Sequence, residues 1–388
     1  MQNRKPFVLT FVRYYLPGYK SGGPVRTIAN MVDHLGDDFD FRIVTSDRDA
    51  LDEKPYPGVD VDAWNRVGKA DVYYASPNRR SARALARLIT DTPHDVLYLN
   101  SFFDSIFTLQ PLLGRRMGWI PKKPVVIAPR GEFSAGALAL KRWKKKPYLA
   151  ATHLICLYRN LTWQASSEHE RADIVRVMGR TATRIAIAPN LPAFHTQIEI
   201  QSVPREQTEP LRVVFLSRIS PMKNLDFALR VLAKVRQPVI FGIYGPIREE
   251  AYWSRCQRLI VQMPSHVRVE YRGSVAPEQV PAIMAAHDLF FLPTLGENYG
   301  HVIAEALLAG TPVLIADTTP WRDLEKAGVG WDLPLDDATR FAHCIERCAA
   351  LPAAAYSAWR ERIRTYATAR LTDTAVIEAN KRLFSSLI

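Results

Sequence analysis

Four side chains in the C-terminal half have types and spacings that could hold an anionic leaving group and a sugar-like ligand. Arg218 and Lys223 stand five residues apart in "LSRISPMKNLDFAL", and Glu297 and Glu305 stand eight apart in "GENYGHVIAEALLAG". Two cations on a loop that opens a helix suit a diphosphate, because fixed positive charge and the helix end act together. Asn224 is placed to serve as the N-cap of that helix. The glutamates have separate tasks. Glu297 lies ahead of a helix and can meet a ligand group while the N–H groups of Asn298, Tyr299, Gly300 and His301 face an anion; Glu305, one turn in, can accept hydrogen bonds from a ribose diol. Carboxylates buried in an apolar helix would be costly without such partners, and the plainer alternative is that both are surface residues.

Other loops add weaker signals. "YGPIREE" offers Gly245, and "YRGSVAPE" offers Arg272, Gly273 and Ser274, placed for backbone contact with a base. In the N-terminal half, "KSGGPVR" puts Gly22 and Gly23 before a helix, where a backbone without side chains can approach a ligand. Such a turn also arises for purely structural reasons. Two Asp-x-Asp pairs, Asp38 with Asp40 and Asp60 with Asp62, have the form of a metal-binding loop, but neither lies beside the C-terminal candidates, so both read as structural. Cys156, Cys256, Cys344 and Cys348 contain no CxxC pair. "FAHCIERC" reads as an amphipathic helix with small buried side chains rather than a metal site.

The elements that must position these residues follow from periodicity. Short apolar runs alternate with helical patterns: "PFVLTFV", "FRIVTS", "DVLYLN", "KPVVIAP", "LTWQAS" and "RIAIAP", then "LRVVFLS", "QPVIFGIYG", "VRVEYRG", "DLFFLP" and "TPVLIAD". Both halves are therefore α/β with mainly parallel sheets. The polar, proline-bearing segment 191–210 reads as a linker between an N-terminal domain (1–190) and a C-terminal domain (211–365). Helical patterns close the chain. In doubly wound sheets ligands bind beyond the carboxyl ends of the strands, where all the candidate loops fall.

Charge narrows the class. Of 51 Lys and Arg against 39 Asp and Glu, residues 1–195 hold 29 and 18, a net +11, whereas residues 196–388 hold 22 and 21, a net +1. The basic excess thus belongs to one half, which points to an anionic partner there. With 47% hydrophobic residues the chain is globular, and no run reaches the roughly 18 to 20 apolar residues of a membrane span. A cytoplasmic protein is expected. No RNA-binding signature accompanies the charge, so nucleic acid is not an expected partner.

Taken in order and spacing, the Glu-x7-Glu of "ENYGHVIAE", the Arg218 and Lys223 pair and the early "SGGPVR" loop resemble the retaining GT-B glycosyltransferases of the family-4 type, over nearly the whole chain. The resemblance implies two Rossmann-like doubly wound domains facing across a cleft, with a terminal helix (366–388) packing back on the N-terminal domain. It implies that Arg218 and Lys223 hold the donor diphosphate, that Glu297 contacts the transferred sugar, that Glu305 binds the nucleotide ribose, and that Gly22 and Gly23 close over the phosphates. Many relatives carry a histidine after the fourth N-terminal strand. Here "PRGEF" offers Arg130 and Glu132 instead, as in a subgroup that builds bacterial surface polysaccharide and lipopolysaccharide, and Arg130 is carried over as the contact on that side.

The implied activity is transfer of a sugar from a nucleoside-diphosphate donor to a glycan or lipid-linked acceptor, with retention and without a metal or further cofactor. A nucleotide-sugar epimerase and a catalytically silent membrane-associated homologue are the alternatives. Segment 138–160 bears on the acceptor: Lys141, Arg142, Lys144, Lys145 and Lys146 beside Trp143 and Tyr148 suit an anionic membrane surface on the inner face of the cell membrane.

Overall fold

The computed structural model describes residues 4–140, 142–193, 206 and 208–388. By its contacts the chain divides into two compact units, Met1–Phe194 with Thr374–Ile388, and His195–Asp373. Most of the expected linker, and Lys141 of the basic segment, lie outside the described residues.

In the first unit the described strands are β1 (Phe7–Phe11), β2 (Asp40–Ser46), β3 (Trp64–Val67), β4 (Ala70–Ala75), β5 (Val96–Asn100), β6 (Val125–Ala128), β7 (Thr162–Ala165) and β8 (Arg184–Ile187). They form one sheet in the order β3-β4-β2-β1-β5-β6-β7-β8, parallel except for the β3–β4 pair. Alternate residues of the inner strands feed opposite faces: Val8 and Tyr98 join one apolar cluster, Leu9 and Leu97 the other. Burial on both faces explains why these strands read as continuous apolar runs. β3 and β4 were not among the expected strands. β3 is a four-residue edge with Asn65 and Arg66 in its middle, too polar and too short for the pattern to register.

The second unit contains β9 (Leu211–Leu216), β10 (Val239–Tyr244), β11 (Val267–Tyr271), β12 (Leu289–Leu292), β13 (Val313–Ala316) and β14 (Gly330–Leu333). Their order is β11-β10-β9-β12-β13-β14, all parallel, around a core from Leu211 to Ala367. From β9 the chain steps outward through β10 to β11, then crosses back to β12 and steps outward the other way through β13 to β14. The loops after β9 and β12 therefore part at a topological switch point and open a crevice there.

The chain end is shared between the units. Residues 366–371 continue the helix Ala353–Leu371 of the second unit, while the helix Thr374–Ser385 belongs to the first. There Phe384 packs edge-on against Phe39, Phe41 and Tyr98, and Asn380 Nδ2 donates to the Pro189 carbonyl at 2.7 Å.

Candidate active site

In the second unit the chain leaves β9 through Ser217, whose N–H donates to Tyr244 O at 2.9 Å, passes Arg218, and makes a 3-10 turn over Pro221–Lys223 before the helix Leu225–Leu232. Asn224 occupies the expected N-cap position of that helix, but without a side-chain cap: its backbone is left-handed (φ 58, ψ 38) and its side chain makes no capping bond. The residue lies between the 3-10 turn and the helix, and asparagine tolerates the left-handed conformation better than most residues.

That turn is fastened to the loop after β12. The Met222 carbonyl accepts from Leu295 N at 2.8 Å and from Thr294 Oγ1 at 3.0 Å, and the Thr294 carbonyl accepts from Thr318 Oγ1 at 2.6 Å. With both loops fixed, Lys223 Nζ donates to Glu297 Oε1 in an ion pair whose side chains are only 9% and 15% exposed. Burial lowers the Lys223 pKa, an effect the Glu297 carboxylate opposes and the nearby Arg218 charge reinforces. Arg218 is likewise held below its usual value, first by burial and then by Arg248, with Glu297 pulling the other way. Cations so placed are incompletely neutralised by the protein and gain from an incoming anion.

Beyond Glu297 the chain turns through Gly300 (φ 78) into the helix His301–Leu308, which ends before Gly310 (φ 73). Trp321 Nε1 donates to the Tyr299 carbonyl at 2.7 Å, and the Tyr299 and His301 rings lie 4.7 Å apart. The loop Asn298–His301 is thereby anchored with the positive end of the helix dipole at the switch point. Glu305 is half-buried on this helix.

Gly245 adopts φ 135, and a Cβ there would lie 2.0 Å from the Ser217 carbonyl oxygen, so no side chain is tolerated. Its N–H donates to Gly273 O at 2.7 Å, which joins two of the expected loops. The Arg272 guanidinium, however, pairs with Glu270, which also holds Arg268 at 2.7 Å. The sequence offered no sign of this pairing.

In the first unit Gly22 has φ 69 and open space where a Cβ would stand, directly before the helix Gly23–Leu35. Asp49 accepts from Tyr19 N at 2.7 Å and Lys20 N at 3.0 Å and shapes this loop. Arg130 is itself left-handed (φ 58) and ties several strand ends together. Its guanidinium donates to Asn100 Oδ1 at 2.8 and 3.1 Å, to Asn190 Oδ1 at 2.6 Å and to the Tyr98 hydroxyl, which in turn donates to Gln164 Oε1. Burial pushes the Tyr98 hydroxyl up to about 12, against the pull of Arg130. Sequence reasoning singled out Arg130 but not these neutral partners; Asn100 at the end of "DVLYLN" was the available signal. Glu132 accepts from Ser101 Oγ at 2.7 Å and Phe103 N at 3.1 Å, a loop-capping arrangement.

Of the paired aspartates, Asp38 meets Lys381 at 2.9 Å and Asp62 accepts from Ser76 N and Oγ at 2.8 and 2.7 Å. The basic segment forms the helix Arg142–Leu154, with Trp143 73% and Leu154 85% exposed. Lys145 turns inward: its Nζ donates to the Ala137 carbonyl at 2.6 Å and lies 5.1 Å from the Phe103 ring centre, so it does not join Arg142, Lys144 and Lys146 on the exposed face.

Residues 196–369 match the family described as Glycosyl transferases group 1. An uncharacterised 41.2 kDa protein in the cps region of Klebsiella pneumoniae is 22% identical over 260 residues, covering 65% of this chain and 68% of that protein. The O-antigen chain mannosyltransferase B of Escherichia coli is 24% identical over 173 residues, so this chain spans 42% of its length. Among solved structures, HepE of Anabaena in complex with UDP and glucose superposes with a TM-score of 0.68 over 98% of this chain and 99% of that one, at 16% identity.

Proposed function

We propose, from the glycosyl transferase group 1 domain at residues 196–369 and the GT-B fold of the chain, that this protein transfers a sugar from a nucleoside-diphosphate donor to a glycan or lipid-linked acceptor in surface-polysaccharide assembly. The observation that carries the reading is the buried Lys223 beside Arg218 and Glu297 at the switch point of the second unit. When the bond between sugar and diphosphate breaks, negative charge grows on the leaving phosphate. Preorganised cations in a water-poor site stabilise that charge without the reorganisation water would need.

Glu297, now the counter-ion of Lys223, is freed when a diphosphate takes that place, and it then accepts hydrogen bonds from the transferred sugar. Glu305 holds the nucleotide ribose, and Gly245 with the backbone of Arg272, Gly273 and Ser274 meets the base. This proposal assigns the Gly22–Gly23 loop to the donor phosphates and Arg130 to the acceptor, as the family resemblance implies. Transfer with retention and without a metal belongs to the same proposal, as does peripheral attachment through Arg142, Trp143, Lys144 and Lys146. Among the described residues no helix is long and apolar enough to cross a membrane.

The test is to incubate the protein with a panel of labelled nucleoside-diphosphate sugars and membrane extract as acceptor source, then resolve nucleotide, free sugar and extended glycan. Label in glycan, with its anomeric configuration read by NMR, supports the reading. Epimerised donor, or no turnover with any donor, overturns it.

A further inference from the structure

We infer that Arg248 is a third cation of the donor site and selects two linked phosphates over one. This rests on the nucleoside-diphosphate reading above and adds a residue of the "YGPIREE" loop that the sequence reading did not single out. The loops after β9 and β10 are joined beyond the strands by an isolated parallel bridge between Ile219 and Ile247. Ile219 N donates to Pro246 O at 2.9 Å, and Arg248 N donates to Ile219 O at 3.1 Å. Ile219 is fully buried. Side chains alternate along paired extended backbone, so Arg218 and Arg248 leave the bridge on the side opposite Ile219 and Ile247. The absence of any side chain at Gly245 allows the two loops this close, because a Cβ there would strike the Ser217 carbonyl.

Two guanidinium groups are thus held on one face of one bridge, near enough that Arg248 depresses the Arg218 pKa. Among the described residues neither makes an ion pair with a carboxylate, whereas Arg212, Arg230 and Arg255 in the same unit all do. Like charges brought together at partly buried positions, offset only in part by the Glu297 charge, raise the energy of the empty site, and an anion bound between them recovers it. The strand order β10-β9-β12 sets the direction of the array. Arg248 stands on the β10 side, Arg218 follows β9, and Lys223 is fastened towards β12. Neighbouring strands are about 4.8 Å apart, so the cations spread along the sheet edge over more than one phosphate's width. Glu297 offsets part of this positive charge, and the excess suits the negative charges of a nucleoside-diphosphate sugar.

The experiment compares wild type with Arg248→Gln, Arg248→Lys and Arg218→Gln, using inorganic pyrophosphate, orthophosphate, and the diphosphates and monophosphates of uridine, guanosine and adenosine as probes. Melting temperature is read without ligand, and affinity by calorimetry. Arg248→Gln is expected to bind pyrophosphate and the preferred nucleoside diphosphate about tenfold or more weakly, the scale for losing a hydrogen bond to a charged group. Its affinity for the monophosphate should change less, and Arg248→Lys should recover part of the loss. Its ligand-free melting temperature should stay level or rise, because repulsion of Arg218 is removed. A purely structural arginine would give the opposite sign. Wild-type diphosphate affinity in Arg248→Gln, or a fall in ligand-free stability parallel to the fall in affinity, overturns the inference. If Arg218→Gln loses binding while Arg248→Gln keeps it, the donor reading stands without this residue; if wild type binds none of the diphosphates, both fall.

Discussion

Lys223, at the end of the turn after β9, and Glu297, on the loop after β12, form an ion pair across 74 residues of sequence with both side chains mostly buried. The pair exists because Met222, the neighbour of Lys223, accepts two hydrogen bonds from Thr294 and Leu295. Removing one member of a buried pair leaves the other charge uncompensated, at a cost of about 3 kcal/mol or more. Glu297→Ala should therefore lower unfolding free energy by roughly that amount, and Lys223→Met combined with Glu297→Leu should restore much of it. Additive losses in a denaturant-based double-mutant cycle would show that the two groups are not coupled.

Activity should divide along different lines. Arg218→Ala and Lys223→Ala are each expected to reduce turnover by roughly 10² to 10³, the scale for one transition-state charge stabiliser. Glu305→Ala should mainly raise the nucleotide dissociation constant, and Glu297→Ala should mainly lower kcat, because only Glu297 is assigned to the reacting sugar. Steady-state kinetics with direct nucleotide titration checks this, and equal effects of both glutamates on both parameters would remove the division.

The depressed pKa of Lys223 makes ligand binding pH-dependent. Well below its folded value the lysine is protonated in folded and unfolded chains alike, and the cost of burying the charge is fully present. As pH rises from that value towards the ordinary lysine value, the folded state sheds its proton first, so this group adds stability with rising pH. A bound diphosphate favours the charged form and reverses the trend. Diphosphate binding should take up protons between the lowered folded value and the ordinary lysine value, and affinity should fall as pH rises through that window. Calorimetry in buffers of different ionisation enthalpy measures the uptake, which Lys223→Met should abolish. Binding free of proton uptake throughout the window would contradict the assignment.

Turnover is expected to persist in EDTA, since Asp38 and Asp62 are engaged by Lys381 and Ser76. Loss of activity on chelation, restored by Mg²⁺ or Mn²⁺, would return a metal to the mechanism.

Binding to vesicles should depend on the exposed face of the helix Arg142–Leu154. Each cation near an anionic membrane contributes about 1 kcal/mol, so neutralising Arg142, Lys144 and Lys146 should greatly reduce co-sedimentation with anionic liposomes. Lys145→Gln should matter less, because that side chain is directed towards Ala137 and Phe103. Added salt should release the wild-type protein. Equal sedimentation of the triple variant and wild type would refute the attachment.

The residue pattern by itself determined the class of fold and the edges where chemistry belongs. Inner strands such as Val96–Asn100 and Leu289–Leu292 are buried on both faces and so read as unbroken apolar runs. Arg218, Lys223 and Glu297 were legible because each follows such a run at a loop before a helix. The local signal failed where backbone geometry or distant neighbours decide. Asn224 stands at the N-cap position its identity suggested, yet its backbone is left-handed and its side chain makes no capping bond, which the local sequence does not reveal. Trp64–Val67 pairs as an antiparallel edge that its polar middle conceals. Only the tertiary structure could join Lys223 to Glu297, turn Arg272 aside onto Glu270, gather Asn100 and Asn190 around Arg130, or set Arg248 beside Arg218. Strand order brings these residues together, and it is fixed by which faces pack on which, a property of the assembled sheet rather than of any local stretch of chain.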